Sequence, residues 1–167
     1  RWFEYGCFCP VMRLHGYRWP LQPQYGTTGG ATCVSGAPNE VWSYTDQVCE
    51  ILSDYLRLRE RMLPYITELM EEAHEKGTPV MRPLFYDFPE DKESWNVETE
   101  YMFGPKVLVK PITDADARET DVYLPGGASW TNAWTGETFE GGQKVHVAAP
   151  IEQIPLFTRD GYKLPMK

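Results

Sequence analysis

Apolar residues recur at helical spacing between positions 48 and 73, which predicts an amphipathic α-helix. Thr45 precedes this stripe and is the predicted N-cap. Gly77 and Pro79 end the pattern, because glycine accepts a left-handed C-cap and proline cannot continue a helix. Pro64 falls inside the stripe and removes one backbone hydrogen bond, so we expect a kink or a split there. The charged residues between the apolar ones predict a face exposed to solvent.

A short apolar stretch, Pro10–His15, predicts a β-strand that presents two polar side chains. Alternation places Val11, Arg13 and His15 on one face of this strand, and Gly16 ends it. Such a strand fits the last strand of an α/β barrel, whose active site lies at the carboxyl ends of the strands. The alternative is an ordinary core strand with a structurally paired arginine, and spacing alone does not separate the two.

The segment Tyr17–Ser43 lies between this strand and the helix, and it predicts a long loop. Proline or glycine occupies seven of its positions, which favours turns over regular structure. A loop that leaves the carboxyl end of a barrel strand overhangs the active site, so we expect this one to have a functional role.

From Pro79 onward the pattern changes from helical to strand-like. Short apolar or alternating runs are separated by turn signals at close intervals, which predicts an antiparallel β-sandwich. We therefore place a boundary near Gly77–Thr78, with a β-sandwich domain over residues 78–167. We expect that domain to be more stable alone than residues 1–77. The predicted strands lie within 80–88, 107–112, 122–124, 138–140, 145–148 and 154–157.

Composition excludes several classes of protein. Of the 167 residues, 42% are hydrophobic and 14% aromatic, enough for a packed core and unlike a disordered tail. The net charge of −8 argues against a nucleic-acid partner, which requires a basic surface. No apolar run approaches the length of a membrane span, so we expect no membrane partner. The chain begins with Arg1 and shows no signal peptide, and we expect its natural N-terminus to lie upstream.

The four cysteines, Cys7, Cys9, Cys33 and Cys49, are irregularly spaced. Cys7 and Cys9 sit in an apolar stretch and are expected to be small buried residues. A zinc site is the alternative, but no C-x2-C pair occurs, so we expect no metal and no other cofactor. Unpaired thiols favour a cytoplasmic protein over an exported one.

Four blocks of sequence carry a resemblance to a known family. They are Arg1–His15, Gly36–Ser43, Leu58–Tyr65 and Pro79–Pro89, and together they resemble family 31 glycoside hydrolases, the α-glucosidase and α-xylosidase group. The blocks stand in the family's order and the resemblance covers essentially the whole chain. It implies an α+β fragment: the last strand, a long loop and the last helix of a (β/α)8 catalytic barrel over residues 1–77, followed by an antiparallel β-sandwich.

The resemblance implies the C-terminal part of a retaining α-glycosidase that hydrolyses terminal α-linked glucose or xylose. Such enzymes use two carboxyl groups about 5 Å apart, a nucleophile and an acid/base. In the family both catalytic aspartates lie upstream of the position matching Arg1, and neither motif occurs here. We therefore expect no catalytic residue in this chain, and no activity from it alone. The implied partners are a glycoside or oligosaccharide substrate and the missing N-terminal part of the barrel.

Two substrate-binding residues follow from the same resemblance. His15 matches the histidine that the family uses against hydroxyls of the sugar being cleaved, and a neutral imidazole can donate or accept there. Arg13 shares the predicted face, and we expect it to pair with an upstream carboxylate and to shape the site. Trp19 could stack on a sugar ring or pack within its loop. The alternative for His15 is a core histidine bonded to the backbone.

Some positions depart from the family's common pattern. Glu4 stands where many relatives have glutamine, and Cys7 where alanine is common. Gly16 is typical of bacterial α-xylosidase-like members, which leaves the sugar open between xylose and glucose.

The competing hypothesis is a non-catalytic carbohydrate-binding or interaction module. Trp130, Trp134, Tyr123 and Phe139 could form an aromatic platform on the sandwich. Exposed coplanar rings would favour that function, whereas buried rings would favour a structural role.

Overall fold

The computed structural model describes residues 1–14, 18–22, 27–28, 31–32 and 35–166. The described helices are α1 (Trp2–Cys7), α2 (Asp46–Arg61), α3 (Leu63–Lys76) and α4 (Leu84–Asp87), with 3-10 turns at Val41–Ser43 and Lys92–Trp95. The described strands are β1 (Arg18–Gln22), β2 (Thr27–Thr28), β3 (Ala31–Thr32), β4 (Ser35–Ala37), β5 (Met81–Arg82), β6 (Tyr101–Phe103), β7 (Val107–Val109), β8 (Glu119–Leu124), β9 (Ser129–Asn132), β10 (Thr138–Glu140), β11 (Gln143–Ala148) and β12 (Leu156–Arg159).

The predicted long helix is confirmed, and it is split at the proline. The Thr45 hydroxyl accepts a hydrogen bond of 3.3 Å from the Val48 N–H, so it is the N-cap of α2. Pro64 lies in the first turn of α3, where its missing N–H leaves no helical hydrogen bond unmade. Gly77, with φ 70°, ends α3 in the left-handed conformation.

The antiparallel sheets predicted after Gly77 are also confirmed. A six-stranded sheet has the order β10-β9-β12-β7-β6-β5, and β8 pairs with β11 in a separate two-stranded ladder. Every described ladder is antiparallel. The alternating side chains of the central strands divide between two apolar clusters, one on each face of the six-stranded sheet.

One of these clusters joins the helices to the sheet. Val107 and Val109 of β7 point into the cluster that holds Tyr55 of α2 and Leu69 of α3, whereas Leu108 points to the opposite face. The opposite face is covered by residues of the β8–β11 ladder and by α4. The helical stripe therefore packs on the sheet within this chain, a contact that the sequence pattern does not predict. The predicted division into residues 1–77 and 78–167 stays a prediction.

Three sequence predictions differ from the structure. Residues 10–14 form no strand, because no described strand lies beside them to complete a parallel ladder; His15 lies outside the described residues. Within 17–43, the described residues include an antiparallel pairing of β1 with β4 and of β2 with β3 instead of only loop. Within 80–88, the short β5 is followed by α4, because Pro83 has no N–H for the sheet ladder.

No helix among the described residues is both long and apolar enough to cross a bilayer. The cytoplasmic location stays a prediction.

Candidate functional site

The segment predicted to carry the sugar-binding residues is only partly described. Arg13 is exposed, and it has no hydrogen bond or ion pair with any other described residue. Its predicted carboxylate partner is thus not found among residues 1–14, 18–22, 27–28, 31–32 and 35–166. His15 lies outside these ranges, so its role remains a prediction.

The chain just before Arg13 is held by a single guanidinium. Nη1 of Arg59, on α2, donates to the carbonyl oxygens of Cys7 at 2.7 Å and Cys9 at 2.8 Å. Nη2 of the same residue donates to the carbonyl of Pro10 at 3.0 Å. These carbonyls follow the last turn of α1, where backbone acceptors have no helical partner.

The fourth carbonyl of the same run is held from the sheet. Tyr101, on β6, donates its hydroxyl to the carbonyl of Phe8 at 2.9 Å. Burial raises the pKa of Tyr101, so the hydroxyl stays protonated and remains a donor. We call the four acceptors, the carbonyls of residues 7–10, the carbonyl run.

Neither donor of the carbonyl run was predicted from the sequence. The charge pattern of the helix places Arg59 on a solvent-exposed face, but it is half-buried and reaches the end of α1. Its place in the block Leu58–Tyr65 was the available signal. Nothing in the pattern around Tyr101 distinguishes it from an ordinary sheet residue.

A second arginine connects the two ends of the segment that the sequence predicts to overhang the site. Arg18, on β1, donates from Nε to the carbonyl of Pro38 at 2.7 Å and from Nη2 to the carbonyl of Ser43 at 2.9 Å. Its guanidinium carbon lies 4.5 Å from the centre of the Tyr44 ring, within cation–π range. These contacts fix both ends of the segment that the sequence predicts to overhang the site.

Large apolar side chains are exposed along the first 44 residues. Trp2 is 85% exposed, Trp19 is 76% exposed and Trp42 is 73% exposed. Val11, Leu14 and Tyr44 are also exposed. Single exposed apolar residues are ordinary, so it is their number within residues 1–44, with three tryptophans among them, that favours contact with a partner. Trp19 is thus available for contact, although its predicted stacking on sugar stays a prediction.

Several carboxylates of the chain make structural hydrogen bonds that stabilise the fold. Glu4 accepts from Arg1 at 3.0 Å, and Asp87 accepts from Arg82 at 3.1 Å. Both oxygens of Glu100 accept from the backbone N–H of Tyr123, at 3.0 and 3.1 Å. One oxygen of Glu4, one oxygen of Asp87 and both oxygens of Glu100 are therefore engaged in structural contacts.

The aromatic residues of the sheet region are structural rather than a binding platform. Trp130 is buried, and its Nε1 donates to the carbonyl of Pro125 at 2.9 Å. Tyr123 is buried, and its hydroxyl donates to the carboxylate of Asp91, at 2.7 and 2.9 Å from the two oxygens. Trp134 and Phe139 are half-buried. By the exposure criterion these rings favour a structural role over a carbohydrate-binding module.

The described cysteines are free thiols. Cys7 is buried, as predicted, and burial raises the pKa of its thiol to about 12. Cys9 and Cys49 are half-buried, and Cys33 lies outside the described residues. Within the described part of the chain, no group of three or more His, Cys, Asp and Glu residues could hold a metal ion.

The carboxyl pKa values predict how stability depends on pH. Burial raises the pKa of Glu4, Asp87 and Glu100. Burial alone would raise the pKa of Asp91 as well, but hydrogen bonds from Gly126 and Tyr123 outweigh it and lower that pKa. Between the ordinary carboxyl pKa and the raised folded values, the folded state binds more protons than the unfolded state. The three raised groups therefore lower the free energy of unfolding as pH rises through that window.

Glu4→Gln is expected to remove part of this dependence. The substitution keeps an acceptor for Arg1 but carries no charge, so the variant should exceed the wild type in free energy of unfolding at pH 7.5 and match it near pH 4. Urea unfolding at the two pH values measures this, with the exposed Glu75→Gln as control. A variant that loses more stability at pH 7.5 than at pH 4 would mean that the ion pair outweighs the burial.

Comparison with known proteins agrees with this geometry. Residues 1–69 match the TIM-barrel domain of glycosyl hydrolases family 31, and residues 77–164 match the C-terminal domain of the same family. The chain belongs to glycosyl hydrolase family 31. The resemblance and the fold class predicted from the sequence are thereby confirmed: the end of the family's barrel domain, then its C-terminal β domain.

Individual relatives of this family 31 chain are α-xylosidases and α-glucosidases. It is 36% identical to an α-xylosidase of Saccharolobus solfataricus over 99% of its length, and 35% identical to α-glucosidase 2 of Bacillus thermoamyloliquefaciens over 96%. A crystal structure of a family 31 α-xylosidase from a soil metagenome, complexed with xylose, matches 98% of the chain with 45% identity and a TM-score of 0.90. The chain spans only 20% and 18% of the two curated relatives, and 24% of that solved structure.

Proposed function

We propose that this chain is the C-terminal part of a retaining α-glycosidase that removes terminal α-linked xylose or glucose. Residues 1–44 supply one wall of the sugar site, and the antiparallel sheets brace that wall. The observation that carries the proposal is the group of exposed apolar side chains among the described residues of 1–44, which includes Trp2, Val11 and Trp42. A surface of this kind needs a partner, and the relatives have about four-fifths of their length outside the matched region.

The missing part of the barrel is the proposed partner of this surface. Parallel barrel strands are buried on both faces and are paired on both edges. In the proposed enzyme residues 10–15 complete the barrel as its last strand, and the strand neighbours come from the upstream part. Val11 and Leu14, which are exposed here, then have apolar surfaces to pack against.

The proposed chemistry of the wall is recognition rather than bond cleavage. His15 hydrogen-bonds hydroxyls of the sugar being cleaved, and these bonds strengthen as the ring flattens toward an oxocarbenium-like transition state. Arg13 pairs with a carboxylate of the upstream part, since a planar guanidinium suits bidentate pairing with carboxylate. The nucleophile and the acid/base come from the upstream part as well.

A chimera tests the proposal. The 167 residues replace the matching segment of the soil-metagenome α-xylosidase, and hydrolysis of 4-nitrophenyl α-xyloside and α-glucoside is measured. We expect the chimera to hydrolyse at least one of the two substrates, and the ratio of the two rates reports which sugar the wall favours. We expect the isolated chain to show no turnover above background, because it supplies neither catalytic carboxylate.

Two outcomes would contradict the proposal. One is a chimera whose melting temperature equals that of the parent enzyme, which shows that it is folded, but which hydrolyses neither substrate. The other is turnover by the isolated chain that disappears when an aspartate or glutamate within it is replaced.

A further inference from the structure

We propose that Arg59 and Tyr101 are positioning residues for the sugar site, acting through the carbonyl run on the segment that carries Arg13 and His15. This inference rests on the proposed function. It also gives the C-terminal sheet a part in substrate recognition, because Tyr101 belongs to β6 and not to the barrel region.

The carbonyl run needs donors because of where it lies. Helix α1 ends at Cys7, and its C-cap residue Phe8 has φ −108° and ψ 28°, which is not the left-handed conformation of a glycine cap. The terminal carbonyls are therefore open to other donors. Two side chains from different elements supply four hydrogen bonds of 2.7 to 3.0 Å to these carbonyls.

Arg59 suits this task better than lysine would. Its guanidinium is planar and always charged, and two of its nitrogens reach three carbonyl oxygens at once. Hydrogen bonds from a charged donor are roughly twice as strong as neutral ones. A lysine ammonium is a compact point charge on a flexible stem and cannot reproduce the fork.

The residues that follow the carbonyl run have few other contacts. Val11, Arg13 and Leu14 are exposed, and residues 11–14 lie in no described strand. Met12 is half-buried against the helix–sheet cluster, and its sulfur lies 3.5 Å from the thiol of Cys7. Among the described residues, the direction in which Arg13 leaves the fold is therefore set by the carbonyl run and by Met12. In an active site a shift of about 1 Å can cost about 10²-fold in rate, so this anchor bears on catalysis.

The first measurement concerns position alone and uses the chain as it stands. Backbone 15N order parameters of residues 8–14 are compared among the wild type, Arg59→Lys, Tyr101→Phe and the double variant. We expect order parameters typical of rigid backbone, about 0.85, in the wild type, and values below about 0.6 in the double variant. Arg57→Lys is the control, because Arg57 lies on the same helix with an exposed ion pair to Asp54. Unchanged order in the double variant would overturn the inference.

The second measurement is a double-mutant cycle in the chimera. Arg59→Lys is expected to lower kcat/KM about 10-fold or more with His15 present, and less than about 2-fold in the His15→Ala background. The carbonyl run can act on recognition only through the residues it positions, so its loss should matter little once His15 is gone. A residue that only stabilised the fold would give equal losses in both backgrounds, and that result would overturn the inference.

The two proposals fail in different ways. If His15→Ala leaves the kinetics unchanged, the proposed function of the segment fails, while the order parameters still decide whether the carbonyl run fixes it. If His15→Ala is damaging but uncoupled from Arg59→Lys, the proposed function stands and the positioning role fails.

Discussion

In the chimera, replacing His15 by alanine is expected to lower kcat/KM by about 10²-fold, about 3 kcal/mol of lost transition-state stabilisation. Hydrogen bonds to ring hydroxyls contribute most when the sugar distorts toward the transition state, so the loss should fall mainly on kcat. Thermal stability should remain near that of the parent, because His15 is the last residue of the proposed barrel strand and lies at its carboxyl end.

The chain offers a matched control for this variant. His74 is exposed on α3, and His74→Ala removes an imidazole at a distance in sequence from the proposed site. We expect its kinetics to equal those of the unmodified chimera. A His15→Ala variant that also keeps the parent's kinetics would return His15 to the alternative of a core histidine.

The two long helices, α2 and α3, were predictable because their signals are local. Thr45, Pro64 and Gly77 act on backbone hydrogen bonds within a few residues, so their effects do not depend on the rest of the molecule. The strand at Pro10–His15 is different, because a parallel strand exists only with its neighbours. An alternating apolar pattern shows that a segment can form a strand when a neighbouring strand is present. No described strand provides that neighbour here.

The sequence singles out two residues of the proposed site, but it does not reveal the residue that holds their segment in place. His15 and Arg13 stand out because polar residues interrupt an apolar stretch. Arg59 does not, because every charged residue on an amphipathic helix looks like part of a solvated face. Its three carbonyl acceptors belong to residues 49 to 52 positions earlier in the chain. Only tertiary structure brings such acceptors to a guanidinium.

The boundary predicted near Gly77–Thr78 also followed from local pattern, and packing across it was not foreseen. Tyr65 of α3 donates its hydroxyl to the carbonyl of Phe103 at 2.8 Å, and it accepts from the N–H of Lys106 at 3.3 Å. Leu69 of the same helix is buried in the cluster shared with the sheet. These contacts bind α3 to the β6–β7 turn, so the helices should unfold together with the sheet instead of being loose in isolation.

Gly104→Ala tests this shared core and is expected to cost about 2 to 5 kcal/mol of unfolding free energy. Gly104 lies in the β6–β7 turn with φ +60°, where a side chain adds about 1–2 kcal/mol of backbone strain. An added Cβ would also collide with the Tyr65 hydroxyl and with Leu69, and overpacking of this kind costs about 1–3 kcal/mol. Urea unfolding followed by circular dichroism measures the loss.

Two further variants separate strain from collision. Gly127 has φ +83° and nothing within 4 Å of a built Cβ, so Gly127→Ala should cost only the strain, about 1–2 kcal/mol. In the Gly104→Ala background, Leu69→Ala should cost less than it does alone, because it removes the group that the new methyl meets. Two results together would show that α3 does not pack tightly against the β6–β7 turn. The two glycine variants would lose equal free energies of unfolding, and the losses for Gly104→Ala and Leu69→Ala would be additive. The helices and the sheet would then be separable units, as the sequence pattern suggested.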